Sequence, residues 1–227
     1  MLTPTLLLVL APAIPNFYAK PYLQLGNDTQ SGAKKSVAVV WHCDLNVKGW
    51  TVRSNAATVS QIQAREFKGA GIRGHRVLSS RLGGLEPGKE YWYEVRLNDR
   101  VFRSTFVAPK GPRQQTRIAI NGDTGENSRG QRAVAYEVWR AKPDLYLNVG
   151  DIVYPYGRAL EYQERWWPIM NADTPDPAKG APILRSVVSV GTAGNHDTAY
   201  RDVSRRKDGL AYYAYWHQPL DGPVAPA

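Results

Sequence analysis

Arg117–Gly125 reads RIAINGDTG, a short apolar strand that runs directly into Gly-Asp-Thr-Gly. Two later stretches repeat this pattern, Leu145–Asp151 (LYLNVGD) and Ser186–Asn195 (SVVSVGTAGN). Between the first two, Gln131–Ala141 has apolar residues at helical spacing and predicts a helix. Strand, helix, strand, loop, strand is typical of a parallel α/β sheet, which we therefore predict for residues 110–227.

Upstream of this region the pattern is that of short strands separated by polar turns. Ser36–Cys43 (SVAVVWHC) and Tyr91–Leu97 (YWYEVRL) both alternate between two faces. A Pro-Gly turn in Leu85–Gly88 reverses the chain before the second of these strands. Short strands with frequent turns predict a β-sandwich over residues 16–109, with Trp41 buried between its two sheets.

The composition is that of a globular chain with a surplus of positive charge. The 227 residues include 29 Lys and Arg against 20 Asp and Glu, which gives a net charge of +9. This charge favours anionic partners such as phosphate esters, and because no nucleic-acid-binding motif accompanies it, we expect no nucleic-acid partner. The lone Cys43 excludes an internal disulfide framework and a cysteine zinc site. No apolar run reaches the roughly 18 to 20 residues of a membrane-spanning helix, so we expect no membrane span.

Met1–Pro15 (MLTPTLLLVLAPAIP) is the most apolar window of the chain. Its apolar centre and its Ala-Pro-Ala pattern are similar to a secretory signal, although no Lys or Arg precedes Lys20. A plain apolar tail is the alternative. The sequence thus favours a secreted or periplasmic protein.

Side chains that bind metals follow each of the three predicted C-terminal strands. Asp123 follows the first, Asp151 and Tyr154 follow the second, and Asn195 and His196 follow the third. Because ligands gather at the carboxyl ends of the strands in such sheets, we expect these side chains to converge. Two carboxylates held close together repel each other unless a cation lies between them, so the pattern indicates a metal site. A turn or a helix cap is the alternative for either Gly-Asp alone, whereas Gly-Asn-His-Asp is far rarer by chance.

Three motifs together resemble those of the calcineurin-like metallophosphoesterases. They are Gly122–Gly125 (GDTG), Gly150–Tyr154 (GDIVY) and Gly194–Asp197 (GNHD). The tyrosine of the second motif is similar to that of the purple acid phosphatases, and Leu85–Val95 (LEPGKEYWYEV) resembles a fibronectin type III-like domain. The resemblance implies a fibronectin type III-like β-sandwich over residues 16–109, followed by the N-terminal half of an α/β metallophosphoesterase domain over residues 110–227.

The resemblance also implies a dinuclear metal centre with a role for each residue. Asp123 and Tyr154 are expected to bind the first metal, Asp151 to bridge both metals, and Asn195 to bind the second. A phenolate favours Fe(III) at the first position, and the second ion is expected to be Zn, Mn or Fe(II). His196 is expected to contact the substrate phosphate.

The implied reaction is the hydrolysis of phosphate monoesters, either small molecules or phosphoproteins, by an acid phosphatase mechanism. Two metals in such a site activate a water that attacks the phosphorus, and they clamp the attacking and leaving oxygens. His196 is expected to stabilise the developing charge or to protonate the leaving group, as the catalytic residue. Asp197, next to it, is expected to orient the site.

The histidine content departs from the family pattern. The family site needs three further histidines from two later motifs, whereas the other histidines of this chain are His42, His75 and His217. His42 and His75 precede the predicted catalytic region, and His217 stands alone in Tyr215–Gln218 (YWHQ). We therefore predict a fragment of a longer enzyme that lacks the C-terminal histidine ligands. The alternative is a non-catalytic fibronectin-like interaction module attached to a phosphoesterase remnant.

Overall fold

The computed structural model describes residues 16–26, 36–68, 73–198 and 211–217. The strands are β1 (Ala19–Gln24), β2 (Val37–Asp44), β3 (Trp50–Ser54), β4 (Thr58–Val59), β5 (Gln63–Phe67), β6 (His75–Gly83), β7 (Glu90–Leu97), β8 (Arg100–Val107), β9 (Ile118–Asn121), β10 (Leu145–Asn148), β11 (Asn171–Asp176), β12 (Gly180–Pro182) and β13 (Val188–Gly191). The helices are α1 (Arg129–Arg140), α2 (Ala159–Glu161), a π-helical turn (Tyr162–Trp166), α3 (Trp167–Met170) and α4 (Ala211–Tyr215).

One mixed sheet of eight strands is the main element of the molecule. Its order is β4-β6-β2-β1-β13-β10-β9, and β5 also pairs with β6. β1 is antiparallel to β2 on one side and parallel to β13 on the other, where Gln24 pairs with Ser189. β13, β10 and β9 are parallel to one another, so the ends of these strands meet at one edge of the sheet.

The fold class predicted from the sequence, a fibronectin type III-like β-sandwich followed by a partial α/β metallophosphoesterase domain, is wrong. The protein is mostly β, and a single sheet contains strands from both predicted parts because β1 joins β2 to β13. Both edges of β1 are paired, so the backbone hydrogen bonds continue across what was expected to be the border between two separate folds. Within the described ranges only α1 is longer than five residues, which leaves too little helix for an α/β layer.

β2 is buried on both faces, and its side chains point alternately into two core clusters. Val39 and Trp41 point into the first cluster, which lies between the large sheet and the three-stranded sheet β3-β7-β8 and includes Tyr93. Trp41 has no exposed surface, so the prediction that it is buried between two sheets is confirmed. Val40 points to the second cluster on the opposite face.

The second cluster contains residues of the helices, including a group of aromatic side chains. Tyr162, Trp166 and Trp167 are buried there, against the face of the sheet that carries Tyr22 and Tyr146. The proline-rich stretch Asp173–Pro182 contributes to the antiparallel hairpin of β11 and β12. α1 and α3 contact this hairpin, and Tyr146 of β10 is buried on the same side of the sheet.

The described residues contain no helix that is both long enough and apolar enough to cross a membrane. The expected signal or tail at Met1–Pro15 lies outside the described residues.

Candidate functional site

Two loops that follow neighbouring parallel strands form the base of the site. Asp123 follows β9 and Asp151 follows β10, and both have left-handed backbones with φ of 51° and 49°. This conformation costs about 1–2 kcal/mol in a residue with a side chain, and the surrounding contacts stabilise it here. The amide of Asp123 donates to the carbonyl of Gly150 at 3.2 Å, and the amide of Thr124 donates to the carbonyl of Asp151 at 3.0 Å. The two aspartates are therefore held side by side by the backbone.

Two buried polar side chains, Thr124 and Asn148, fasten these loops together. The Thr124 hydroxyl donates to the carbonyl of Ile152 at 3.0 Å and accepts from Nδ2 of Asn148 at 3.0 Å. Oδ1 of Asn148 accepts from the amide of Gly150 at 3.1 Å. The sequence analysis missed both residues; an asparagine that ends the apolar strand LYLN, before a Gly-Asp turn, was the available signal.

The phenol of Tyr154 lies between the two carboxylates. Its hydroxyl is 2.5 Å from Oδ1 of Asp123, to which it donates, and 3.2 Å from Oδ2 of Asp151. Partial burial and then the hydrogen bond to Asp123 raise the pKa of Tyr154, and both negative carboxylates add to the effect. The structure thus brings three of the predicted site residues, Asp123, Asp151 and Tyr154, into direct contact.

The turn after β13 packs directly against Asp151. A Cβ on Gly194 would lie 2.2 Å from Oδ1 of Asp151, so only glycine allows this approach. The amide of His196 donates to the same oxygen at 2.9 Å. Asn195 lies between these two contacts, in the same turn, and is exposed. The backbone thus places Asn195 beside the aspartate pair.

The imidazole of His196 is oriented by the loop that carries Tyr154. Its Nδ1 lies 2.8 Å from the carbonyl of Pro155, so Nδ1 carries a proton and donates it. The ring is 4.4 Å from that of Tyr154, centroid to centroid. This arrangement leaves Nε2 as the ring nitrogen for acid–base chemistry.

Asp197, which was expected to orient the site from beside His196, uses its carboxylate to hold the backbone of the surrounding loops. It accepts from the amide of Ile152 at 2.9 Å, from that of Val153 at 3.2 Å and from that of Gly194 at 2.9 Å. Asp197 is completely buried, and burial raises its pKa while these hydrogen bonds oppose the rise. Its carboxylate therefore connects the loop after β10 to the loop after β13.

The donor atoms gathered here are the oxygens that hard cations prefer. Two carboxylates and a phenol share one hydrogen-bonded contact, and such a set suits Fe(III), Mn or Mg better than soft ions. Within the described ranges, no three His, Cys, Asp or Glu side chains are grouped so as to hold a metal ion. The oxygen atoms in contact here are those of Asp123, Asp151 and Tyr154.

The remaining histidines are gathered elsewhere. His42 and His75 are fully buried in the large sheet, where their rings lie 5.3 Å apart. The backbone of His217 hydrogen-bonds β1 through the side chain of Gln24. His42 on β2 and His75 on β6 are separated from β10 and β9 by β1 and β13 in the strand order.

Comparison with known proteins assigns no family: no family model matches the chain, and no curated protein is similar to it.

Proposed function

We propose that the site formed by Asp123, Asp151, Tyr154, Asn195 and His196 binds metal ions and takes part in the hydrolysis of phosphate monoesters, to which it supplies the oxygen donors and the acid–base group. The observation that carries this proposal is the contact of Tyr154 with both carboxylates at the ends of β9 and β10. Oxygen donors of this kind stabilise hard cations. A further support is the turn with Asn195 and His196, which packs on Asp151.

Each residue has a distinct role in this proposal. Asp123 and Tyr154 hold the first ion, proposed to be Fe(III), Asp151 contacts both ions, and Asn195 holds a divalent Zn, Mn or Fe. The metal pair, when bound, supplies Lewis acidity that activates water and neutralises charge on the phosphate. His196, with Nδ1 bonded to the carbonyl of Pro155, uses Nε2 to stabilise or protonate the leaving oxygen.

The net charge of +9 supports an anionic substrate, either a small phosphate ester or a phosphoprotein. The charge acts on the encounter of substrate and protein rather than on the chemical step, because such steering raises association rates. Which phosphate ester the site accepts depends on contacts made by the substrate's remaining atoms.

Binding of Mn(II) to the whole chain, followed by electron paramagnetic resonance, tests this function. We expect Asp151→Asn to weaken Mn(II) binding at least tenfold, whereas Asp173→Asn, which removes an exposed carboxylate, leaves it unchanged. Inorganic phosphate that contacts the bound ion should strengthen Mn(II) binding in the unchanged chain. The coupling is reciprocal, so each of the two ligands raises the affinity for the other by the same factor. His196→Ala should keep Mn(II) binding and lose most of the phosphate effect.

Equal Mn(II) affinity in the unchanged chain and in Asp151→Asn would contradict the metal site. Metal binding without any effect of phosphate would contradict the phosphoester function and favour the alternative, a non-catalytic binding module.

A further inference from the structure

Two histidines that the proposed site does not use lie stacked inside the molecule, beneath α4. His42 on β2 and His75 on β6 are both completely buried, with ring centroids 5.3 Å apart and nearly parallel planes. Tyr22 on β1 and Tyr215 on α4 contact the pair through their hydroxyl groups. The cluster therefore joins three strands of the large sheet to the helix.

The hydrogen bonds of this cluster are satisfied with both imidazoles neutral. The Tyr22 hydroxyl donates to the carbonyl of Tyr215 at 2.9 Å, so Nε2 of His42, also at 2.9 Å, must donate to the Tyr22 oxygen. Nδ1 of His75 lies 3.1 Å from the carbonyl of Arg73 and must carry a proton. Its Nε2 then accepts from the Tyr215 hydroxyl at 2.9 Å. Both imidazoles are neutral in this arrangement.

A second proton is unfavourable on either imidazole. Nδ1 of His42 is buried without a hydrogen-bond partner among the described residues, so a proton there would be an unsatisfied charge. A proton on Nε2 of His75 would reverse its hydrogen bond with Tyr215 and leave the Tyr215 hydroxyl proton to find another acceptor. Two charged rings at 5.3 Å would also repel each other.

The charged and titratable groups around the pair offer little compensation. They are Tyr18 before β1, Tyr22 on β1, Asp44 on β2, Arg65 on β5, Arg73 before β6, and Tyr215 and His217 in and after α4. Asp44 is the one acidic group of this set, and it is paired with Arg73 at 2.8 Å. Burial is the largest cause of the lowered pKa of His42 and of His75, and the charges of His75, His217 and Arg65 add to the effect at His42.

The helix above the pair is attached to the sheet by hydrogen bonds and by the burial of Tyr212, Tyr215 and Trp216 in the second cluster. The α4 segment, residues 211–217, bonds β1 through Tyr22 and through the amide of Gly26, which donates to the carbonyl of His217 at 2.8 Å. At the other end, the Tyr212 hydroxyl donates to the carbonyl of Gly191 at 2.8 Å. Gly191 also packs on Trp216, whose ring would lie 2.7 Å from an added Cβ. Because Gly191 ends β13, the α4 segment supports the strand that leads to the candidate site.

We propose that His42 and His75 form a proton-sensitive lock, which holds the α4 segment on the sheet while both are neutral and releases it in mildly acidic solution. Release removes the contacts to Gly191 and loosens the turn that carries Asn195 and His196. The lock is independent of the proposed phosphoester chemistry, since it uses none of the site residues.

The sign follows from proton linkage. A histidine that is neutral when docked and has an ordinary pKa near 6.5 when released binds more protons in the released state, so docking weakens as pH falls below about 6.5. Between pH 7.5 and 5.5 each such histidine weakens docking about tenfold, so the pair accounts for about 100-fold. His217, whose pKa burial lowers to about 4, adds about another tenfold.

Amide hydrogen exchange of the whole chain, corrected for the intrinsic effect of pH on exchange, tests the lock. We expect the protection of the α4 segment to fall at least 100-fold from pH 7.5 to 5.5, while β7 stays more protected than the α4 segment. In the variant His42→Gln with His75→Gln, which replaces both rings by neutral hydrogen-bonding amides, the fall should shrink by about 100-fold. The control His217→Gln should keep the 100-fold contribution of the pair.

Unchanged protection of the α4 segment at pH 5.5, or an equal fall in the double variant, would overturn the lock. Should the double variant fail to fold, imidazole nitrogen resonances of the unchanged protein decide the matter. At pH 7.5 they should show a proton on Nε2 of His42 and on Nδ1 of His75, and both rings should become charged as the α4 segment is released. A charged ring at pH 7.5, or release while both rings stay neutral, would refute the proposal.

Discussion

Asp197 is the residue on which the geometry of the candidate site depends most directly. Its buried carboxylate accepts amide protons from both loops that carry the site, at Ile152, Val153 and Gly194. Burial of a carboxylate is costly, and here three backbone donors compensate for it. The side chain of Asp197 therefore sets the position of Asp151 relative to the turn after β13, and it does so through hydrogen bonds to backbone amides.

Asp197→Ala is expected to destabilise the protein by at least about 3 kcal/mol. The change leaves three amide groups without acceptors, at about 1–3 kcal/mol each. Asp173→Ala is the control, because the Asp173 side chain is 70% exposed and its pair with Lys20 contributes at most about 1 kcal/mol. Urea unfolding measures both variants, and a loss at Asp197 no larger than that at Asp173 would show that water replaces the carboxylate.

At the scale of residues, the sequence predicted which side chains meet but not how they are held. The order strand, Gly-Asp, strand, Gly-Asp was sufficient to bring Asp123 and Asp151 together, because parallel neighbours end at the same edge. Hydrophobic periodicity does not predict the backbone conformation of a loop. The hydrogen bonds of Thr124, Asn148 and Asp197 depend on such loops, so the sequence did not predict them.

β2 is the element that organises the molecule. Every residue from Val37 to Cys43 is buried, because one face of the strand packs on the three-stranded sheet and the other on the aromatic cluster. Trp41 fills the first interface and lies 5.9 Å from Trp50, centroid to centroid. His42 faces the second interface and takes part in the lock.

Trp41→Ala is expected to cost about 3–5 kcal/mol of stability, through the lost burial and the cavity that remains. Trp92→Ala is the matched control. Trp92 lies on the half-exposed face of β7, where its ring contacts the guanidinium of Arg103, so its removal leaves no enclosed cavity. Equal unfolding free energies of the two variants would mean that Trp41 is not a core residue.

At the scale of elements, alternation predicted β2 and β7 correctly, and the apolar runs predicted β9, β10 and β13. Alternation does not predict which strands pair with each other. Ala19–Gln24 reads as an unremarkable polar and apolar mixture, yet its pairing with both β2 and β13 decides the topology. Pairing between distant strands depends on packing and register rather than on the propensity of one segment.

The described part of the molecule is organised around one mixed sheet of eight strands, and the candidate site lies at the end of its parallel part. The fold class predicted from the sequence, with two separate folds, was wrong because each half of the chain was interpreted from its own pattern. A sheet that continues through β1 has no signature in either half.

The chain by itself is expected to hydrolyse p-nitrophenyl phosphate at or near the background rate when it is supplied with Fe(III) and Zn or Mn. His42, His75 and His217 lie among β1, β2, β6 and α4, so among the described residues the ions receive mainly oxygen donors. Such an open site places the second ion poorly, and the two-metal clamp does not form. Robust turnover that is lost in Asp151→Asn would show that these donors are sufficient.

The most direct test of the central claim, that Asp123, Asp151 and Tyr154 form a metal site, is the anomalous scattering of Mn(II) in crystals grown with Mn(II) and phosphate. If these residues bind the metal, a peak is expected at coordination distance, about 2–2.6 Å, from both carboxylates and the phenol oxygen, with phosphate on the side of His196. Crystals in which Tyr154 still donates to Asp123 while Mn(II) lies elsewhere, or nowhere, would contradict it.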